Sequence, residues 1–516
     1  MRLSLLAFSL FYFADVCLRA SAKYFWYDEI LTLYFSRFPN LHSLWGALQT
    51  GLESNPPGFH LLTRASETVF GEGLIATRLP EIVAFWVLCL CFFKFVERRA
   101  GAPAGFIAMS LPMLTGAYFY AYEARPLIIV VAFAAIALLC WDNALGGYRD
   151  KRWLFGFSFA LLTAFMLHCY AILIVIPFGI VELVRNVKNR RIDWPFWIAL
   201  TAPLIPATLL YLPLLKAFRK AAQGTDFSTF YGAVWPEVIK FYGFLLLPCA
   251  AILLLALSLF ARDRVMTRAA TRTEISQSYF TWSDALVCLG FAALPAFGVI
   301  LGQIVHSPYF GRYFLSAIIG FCIPFAITAG AGRNKRWIVP VLLCAIVFGL
   351  GVNFARLVRH RMTGTGETLE EPSTKAYLST TAGKPLNSYP LVTHLDGDSK
   401  PIAVLEPTDF LYLLQYAPQL ASRLYYIHSS DRDESFRGLR AFRPWSPVKY
   451  NPVLAGPQFI RLHPDFYIYS DVLHIEEFYR LSHLASIQAF QAREQHFLAS
   501  MQAKTPVEVA ADRRAR

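Results

Sequence analysis

The sequence predicts a polytopic α-helical membrane protein with a small α/β domain at its C-terminal end. Three observations predict it. Hydrophobic residues make up 56% of the 516 and charged ones only 16%, against about 25% charged in soluble domains. Apolar segments long enough to cross a bilayer recur through residue 355. The loops between them alternate in positive charge. The same composition excludes intrinsic disorder and a collagen-like fibre. An aromatic content of 16% suits lipid-facing helices with interfacial belts.

A helix needs roughly 20 apolar residues to cross about 30 Å of hydrocarbon. Eleven segments qualify, near 3–21, 79–97, 103–120, 126–145, 153–168, 170–185, 194–215, 237–260, 285–305, 309–330 and 337–355. Pro177, Pro203, Pro206 and Pro295 lie inside spans, which membrane helices tolerate when neighbours re-satisfy the backbone.

The net charge is +13. Seventeen Lys and Arg residues sit in five alternate short loops, including Arg98–Arg99, Lys151–Arg152 and Arg190–Arg191. The loops between hold few cations, among them Arg125, Lys216 and Arg312. The positive-inside rule then makes the richer set cytoplasmic. The N-terminus is expected inside and everything after residue 356 outside. The positive charge therefore reads as a topological code, and no nucleic-acid partner is expected. Asp15 and Arg19, four apart in the first span, suggest a retained helix with a polar face against protein, although Arg19–Ala22 faintly resembles a signal-peptide cleavage site. The nine cysteines fall in or beside apolar runs without a CxxC pair, so they read as small buried side chains rather than a disulfide framework.

Two outer segments are expected not to span. Residues 23–78 form a first outer loop, in which Pro57–Phe70 sets Phe59, Leu61, Leu62 and Val69 against His60, Arg64 and Glu67. That pattern suits a helix lying on a membrane surface. Residues 216–236 read as similarly interfacial. The chain divides into a transmembrane domain, 1–356, and a linker plus outer α/β domain, 357–516. In the tail, 364–386 reads as linker, 401–405, 423–427 and 466–469 as apolar strand-like runs, Phe410–Tyr416 as amphipathic and 472–500 as helical. Its acids, Asp396, Asp398, Asp409 and the run 431–434, match no ligand spacing and read as solvated loop charge.

Four motifs lie on the predicted outer side. Trp26-Tyr27-Asp28-Glu29 places two carboxylates under an aromatic cap just outside the first span. They are either interfacial decoration or a general base beside a lipid-borne substrate. Ser54-Asn55-Pro56-Pro57-Gly58 delivers a helix N-terminus, where proline suits the first turn and free amides can face an anion. Tyr122-Glu123-Ala124-Arg125-Pro126 closes the third span, and Glu123 with Arg125 reads otherwise as a surface ion pair. Arg312, between Gly311 and Tyr313, starts the tenth. It is either a snorkelling cation or a bidentate phosphate ligand. His168 and Tyr170 occupy the shortest outer turn, and the histidine reads as a packing or helix-end residue.

The order WYDE, NPPGFHLL, YEARP and GRYFL resembles the GT-C superfamily of membrane glycosyltransferases over roughly residues 1–355. The similarity is to the family 39 type, which includes protein O-mannosyltransferases, the aminoarabinose transferase of lipid A and RgtA/B/C/D-like enzymes. The usual PPL is here Pro56-Pro57-Gly58, and the lysine that aminoarabinose transferases place before the prolines is missing.

The resemblance implies a GT-C-like fold and sugar transfer, with inversion, from a polyprenyl-phosphate donor to a lipid, glycan or protein acceptor at the outer membrane face. It implies Asp28 as the base, with Glu29 beside it in the catalytic motif. Glu123, Arg125, Arg312, Tyr313, Asn55 and Pro57 are implied to bind substrate. No cofactor and no metal ligand set is assigned, although a divalent metal through Asp28, Glu123 and His168 is conceivable. Membrane lipids are the other expected partners, and a bacterial inner (plasma) membrane the expected location. The alternatives are a lipid-linked sugar transporter, a non-catalytic scaffold, and an oligosaccharide ligase or polymerase with a diphosphate-linked donor. Clustering of ionisable groups at the outer interface, rather than mid-membrane, favours an enzyme.

Overall fold

The computed structural model describes residues 1–51, 53, 55–145, 151–222, 232–269, 280–305, 309–331, 335–363, 395, 398–428, 454–471, 475–493, 496–505 and 508. Its helices are, in chain order, α1 (Arg2–Ala22), α2 (Tyr27–Ser36), α3 (Leu41–Leu48), α4 (Pro57–Phe70), α5 (Leu74–Ala100), α6 (Ala102–Ser110), α7 (Leu127–Leu145) and α8 (Lys151–Leu167). There follow α9 (Val175–Asn189), α10 (Trp194–Thr201), α11 (Leu204–Ala222), α12 (Trp235–Leu246), α13 (Ala250–Ala269), α14 (Trp282–Val305), α15 (Ile319–Ala331) and α16 (Lys335–Thr363). The tail adds β1 (Ile402–Val404), α17 (Pro407–Tyr416), β2 (Leu424–His428), β3 (Leu454–Ala455), α18 (Gly456–Leu462), β4 (Asp465–Asp471), α19 (Ile475–Ser482), β5 (Ala485–Arg493) and β6 (His496–Ala503).

The protein is a multi-pass membrane protein. Among the described residues, nine helical segments are long and apolar enough to cross a bilayer, and ten if one bent pair counts as a span. Each of the eleven segments expected from sequence is helical. The segment outside that count is α8, expected at 153–168, whose 17 residues rise only about 26 Å at 1.5 Å per residue. The bent pair is the segment expected as a span at 103–120: Ala102–Leu114 meets Gly116–Tyr122 at 74°. Two local features make the bend. Thr115 is extended (φ −103°, ψ 165°). At Gly116 an added Cβ would stand 2.4 Å from the Phe244 carbonyl oxygen, so the backbone there approaches α12 more closely than any side chain permits.

The chain forms two compact units: Met1–Ala22, Asn55–Pro213 and Asp226–Gly366 make the first, and Lys23–Ser54, Leu214–Thr225 and Glu367–Arg516 the second. The outer loop read from sequence as one piece, 23–78, is thus split between them. In the first unit the core runs through Phe85, Phe92, Trp141, Phe157 and Phe178, all fully buried. Leu3, Leu6 and Leu10 on α1 and Ile205 and Leu209 on α11 point outward, as lipid-facing positions do.

The polar face expected on α1 is packed against protein. Asp15 accepts from the Arg19 guanidinium at 2.7 Å and from the Tyr118 hydroxyl at 2.5 Å. The Tyr12 hydroxyl donates to the Ile82 carbonyl at 2.7 Å. A charged lock joins three other helices: Arg99 of α5 pairs with Asp142 of α7 at 2.6 Å and with Asp284 of α14 at 2.7 Å. In the sequence Arg99 reads only as a topological charge. Asp284 is buried, so Arg99→Ala leaves a carboxylate without its cation. The expected cost is about 3–5 kcal/mol, read as a lowered unfolding midpoint in detergent.

Helix α4 has the expected limits, and most of its apolar positions face outward, as on a helix that lies on a membrane surface. Its buried positions are Phe59, His60, Thr63, Ser66 and Glu67, while Leu61, Leu62, Val69 and Phe70 are exposed. The polar face is the one held by protein. The Ser66 hydroxyl donates to the Ala76 carbonyl at 2.6 Å, and Thr77 donates to Glu67 at 2.8 Å. In an apolar surrounding the leucines cost nothing outside, whereas unsatisfied polar groups there would. The segment 216–236 is only partly described: through Ala222 it simply continues α11, and 223–231 lie outside the described residues.

The tail of the second unit carries a six-stranded mixed sheet in the order β3-β2-β1-β4-β6-β5. β1 pairs parallel with β2 (Ile402 opposite Leu424) and with β4 (Ile402 opposite Tyr467). β6 runs antiparallel to β4 and β5. The small α/β domain is therefore as expected. The helix expected over 472–500 is not: α19 ends at Ser482, and Ala485–Arg493 and His496–Ala503 pair as strands. The Ala, Gln and Arg residues there favour helix locally, but pairing along β4 decides strand. The linker 364–386, Asp396 and the acids 431–434 lie outside the described residues.

Candidate active site

The WYDE motif belongs to the second unit. Trp26 is the N-cap of α2, in extended conformation, and its backbone N–H donates to Glu29 Oε2 at 3.4 Å. Acids in a first turn complement the positive end of a helix. Glu29 is fully buried, with the buried Lys23 Nζ 3.8 Å from its carboxylate. Asp28 is half-buried, and its carbonyl accepts from the Thr32 hydroxyl at 3.1 Å. The two acids thus differ in burial: Glu29 is enclosed beside a lysine, while Asp28 is half-buried, with its Oδ2 enclosed.

Helix α17 packs on α2, a neighbour that sequence reasoning did not connect with the motif. The Tyr416 hydroxyl donates to the Phe25 carbonyl at 2.8 Å, and its ring meets Tyr24 edge-on at 5.6 Å. The Tyr412 hydroxyl accepts from the Tyr27 backbone N–H. Burial, then the neighbouring Tyr416, Glu29 and Asp28, push the Tyr412 phenol well up, so it stays protonated. The only advance sign was the apolar spacing of Phe410–Tyr416.

The other candidate residues belong to the first unit. Asn55 is buried just before the Pro56 N-cap, and Pro57 occupies the first turn of α4. Gly58 has a steric reason for departing from the usual leucine: an added Cβ would lie 2.7 Å from the Met166 carbonyl oxygen at the end of α8. Gly58→Leu should therefore destabilise by about 1–3 kcal/mol through overpacking, seen as a lower melting temperature of the purified protein.

Glu123 follows the bent pair in extended conformation, and its carbonyl accepts from the Arg125 N–H at 2.7 Å. Both side chains are buried, Glu123 fully and Arg125 to 8% exposure. A surface ion pair is therefore not what this motif makes. Arg312 and Tyr313 lie on a 3-10 turn, Gly311–Ile318, before α15. The half-buried Arg312 guanidinium stands 5.4 Å from the Phe310 ring centroid and 5.8 Å from that of Tyr313. The Tyr313 ring lies 4.7 Å from both His168 and Tyr170. His168 is an N-cap: its Nδ1 accepts from the Tyr170 N–H at 3.2 Å. The structure thus brings Arg312, Tyr313, His168 and Tyr170 into one cluster. Among the described residues, no three His, Cys, Asp or Glu side chains gather in a metal-binding arrangement.

Residues 54–213 match the family model for dolichyl-phosphate-mannose-protein mannosyltransferase. No match is found among curated proteins. The fold is similar to that of ArnT from Cupriavidus metallidurans bound to undecaprenyl phosphate, with a TM-score of 0.55 at 15% identity over 96% of this chain and 97% of that one. The chain has the GT-C fold.

Two further solved structures are similar at lower TM-scores. One is ArnT of the same organism in the apo state, at TM-score 0.47 and 13% identity over 96% and 97% of the two chains. The other is the archaeal oligosaccharyltransferase AglB from Archaeoglobus fulgidus in complex with an inhibitory peptide and a dolichol-phosphate, at TM-score 0.32 and 13% identity over 96% and 73%. The GT-C assignment concerns the fold, and it covers both units.

Proposed function

We propose that this protein transfers a sugar from a polyprenyl-phosphate donor to a hydroxyl of a lipid, glycan or protein acceptor at the outer face of a bacterial inner membrane. The observation that carries the reading is a half-buried Asp28 in the first turn of a helix in a chain of GT-C fold. The structural neighbour's bound lipid, undecaprenyl phosphate, is a carrier of the proposed kind. Topological charge is the support for the outer face.

In the proposed reaction the acceptor hydroxyl gives its proton to the Asp28 carboxylate as its oxygen attacks the anomeric carbon. The bond from that carbon to the phosphate oxygen breaks on the opposite face, so configuration inverts and the polyprenyl phosphate leaves with the electron pair. A phosphate is a good leaving group, so no general acid is demanded. Charge developing on it calls for cations, and Arg312 and Arg125 are assigned that task. Glu29 holds the motif in shape through Lys23, while Glu123, Tyr313, Asn55 and Pro57 shape the substrate-binding walls.

The test is mass spectrometry of lipids that co-purify with the protein. A polyprenyl monophosphate bearing one sugar is the expected result. A sugar diphosphate carrier would turn the reading toward a ligase or polymerase. No lipid, together with vectorial sugar transport in liposomes, would overturn it.

A further inference from the structure

We propose that Tyr412, supported by Tyr416, is a positioning residue for Asp28, so that the C-terminal domain is part of the catalytic apparatus and not only an acceptor-binding appendage. This rests on the reading of Asp28 as the base.

The geometry runs from the sheet outward within the second unit. Helix α17 starts directly after β1 and is fastened at its first turn. The Glu406 side chain caps it by accepting from the Asp409 N–H at 2.6 Å. The buried Asp409, read from sequence as solvated loop charge, lies 3.2 Å from His496 Nε2 on β6. One turn or two further along, the same helix presents Tyr412 and Tyr416, stacked at 6.1 Å and 22°. These two rings hold the chain on both sides of Trp26: Tyr416 through the Phe25 carbonyl and Tyr412 through the Tyr27 N–H. The residue after Tyr27 is Asp28. Its backbone direction at the start of α2 is thus set by a helix that the sheet anchors.

Two physical arguments give the contact a catalytic consequence. The first-turn N–H groups of a helix have no partner within the helix; Glu29 takes that of Trp26, and Tyr412 takes that of Tyr27. A base misplaced by about 1 Å can lose about 10²-fold in rate. A tyrosine that only filled the core would be replaceable by phenylalanine, because the ring carries the apolar contact and the hydroxyl carries only the hydrogen bond.

The experiment compares Tyr412→Phe, Tyr416→Phe, the double variant and Asp28→Asn in the full-length protein. Transfer is measured with synthetic polyprenyl-phosphate sugars as donors and native membrane extract as acceptor. Thermal unfolding and amide hydrogen exchange of 24–31 are read alongside. Tyr412→Phe is expected to lower kcat about 10- to 100-fold with the donor KM within about twofold, to hasten exchange in 24–31, and to keep the unfolding midpoint. The double variant should lose less than the product of the single effects, since both rings hold one turn.

Wild-type kcat in Tyr412→Phe, with Asp28→Asn inactive, would overturn the positioning role and leave the base intact. A parallel fall in kcat and unfolding midpoint would make Tyr412 merely structural and overturn the proposal. Wild-type turnover in Asp28→Asn would overturn the underlying reading as well.

Discussion

Asp28→Asn is expected to lower sugar transfer about 10²- to 10⁴-fold, the usual contribution of a positioned general base, while the protein still folds. The substitution keeps size and polarity and removes the negative charge, and with it the capacity to take a proton. The fold should persist because asparagine fits the same space and the backbone carbonyl at position 28 still accepts from Thr32. The measurement is initial transfer rate at saturating donor, with the unfolding midpoint as control. Glu29→Gln is the informative companion, since Glu29 is buried against Lys23 and its loss should cost stability as well as rate. Wild-type turnover in both variants would defeat the assignment of the motif.

The second large effect is at Arg312. Arg312→Ala is expected to lower kcat about 10²- to 10³-fold, the range for removing one donor that stabilises transition-state charge. The competing reading, a snorkelling cation, predicts little. Packing of the guanidinium near Phe310 and Tyr313 contributes about 0.5–1 kcal/mol at a partly exposed site, too small to account for such a loss. Arg312→Lys should recover part of the rate, because it restores the charge without the planar fork. The comparison uses the same transfer assay, and a rate within a few-fold of wild type in Arg312→Ala would pass the phosphate role to Arg125.

The candidate residues named from the sequence rest on local signals. Asp28 stands out as one of two adjacent acids under an aromatic cap just after the first span, and Arg125 and Arg312 as cations in outer loops that hold few. Less legible was which polar residues are structural. Arg99 counts as loop charge in the sequence, yet it ties Asp142 and Asp284 together. His168 keeps its expected role as a helix-end residue, while its stacking on Tyr313 has no sequence signal. The helix expected over 472–500 failed because β5 and β6 owe their conformation to partners in the sheet, and a local pattern carries no information about a distant strand.

By itself the sequence determined that the protein lives in a membrane, roughly where its helices cross, and that an α/β domain follows. Hydrophobic length and loop charge act locally, against lipid and water, so they can be read residue by residue. Only the tertiary structure decided the inward facing of the polar side of α4, the 74° bend before Tyr122, and the seating of Tyr412 and Tyr416 on the WYDE turn. Each of those depends on which surface a helix meets across the chain. Tyr416 and Phe25 stand 391 residues apart in sequence, and only folding brings them within hydrogen-bonding distance.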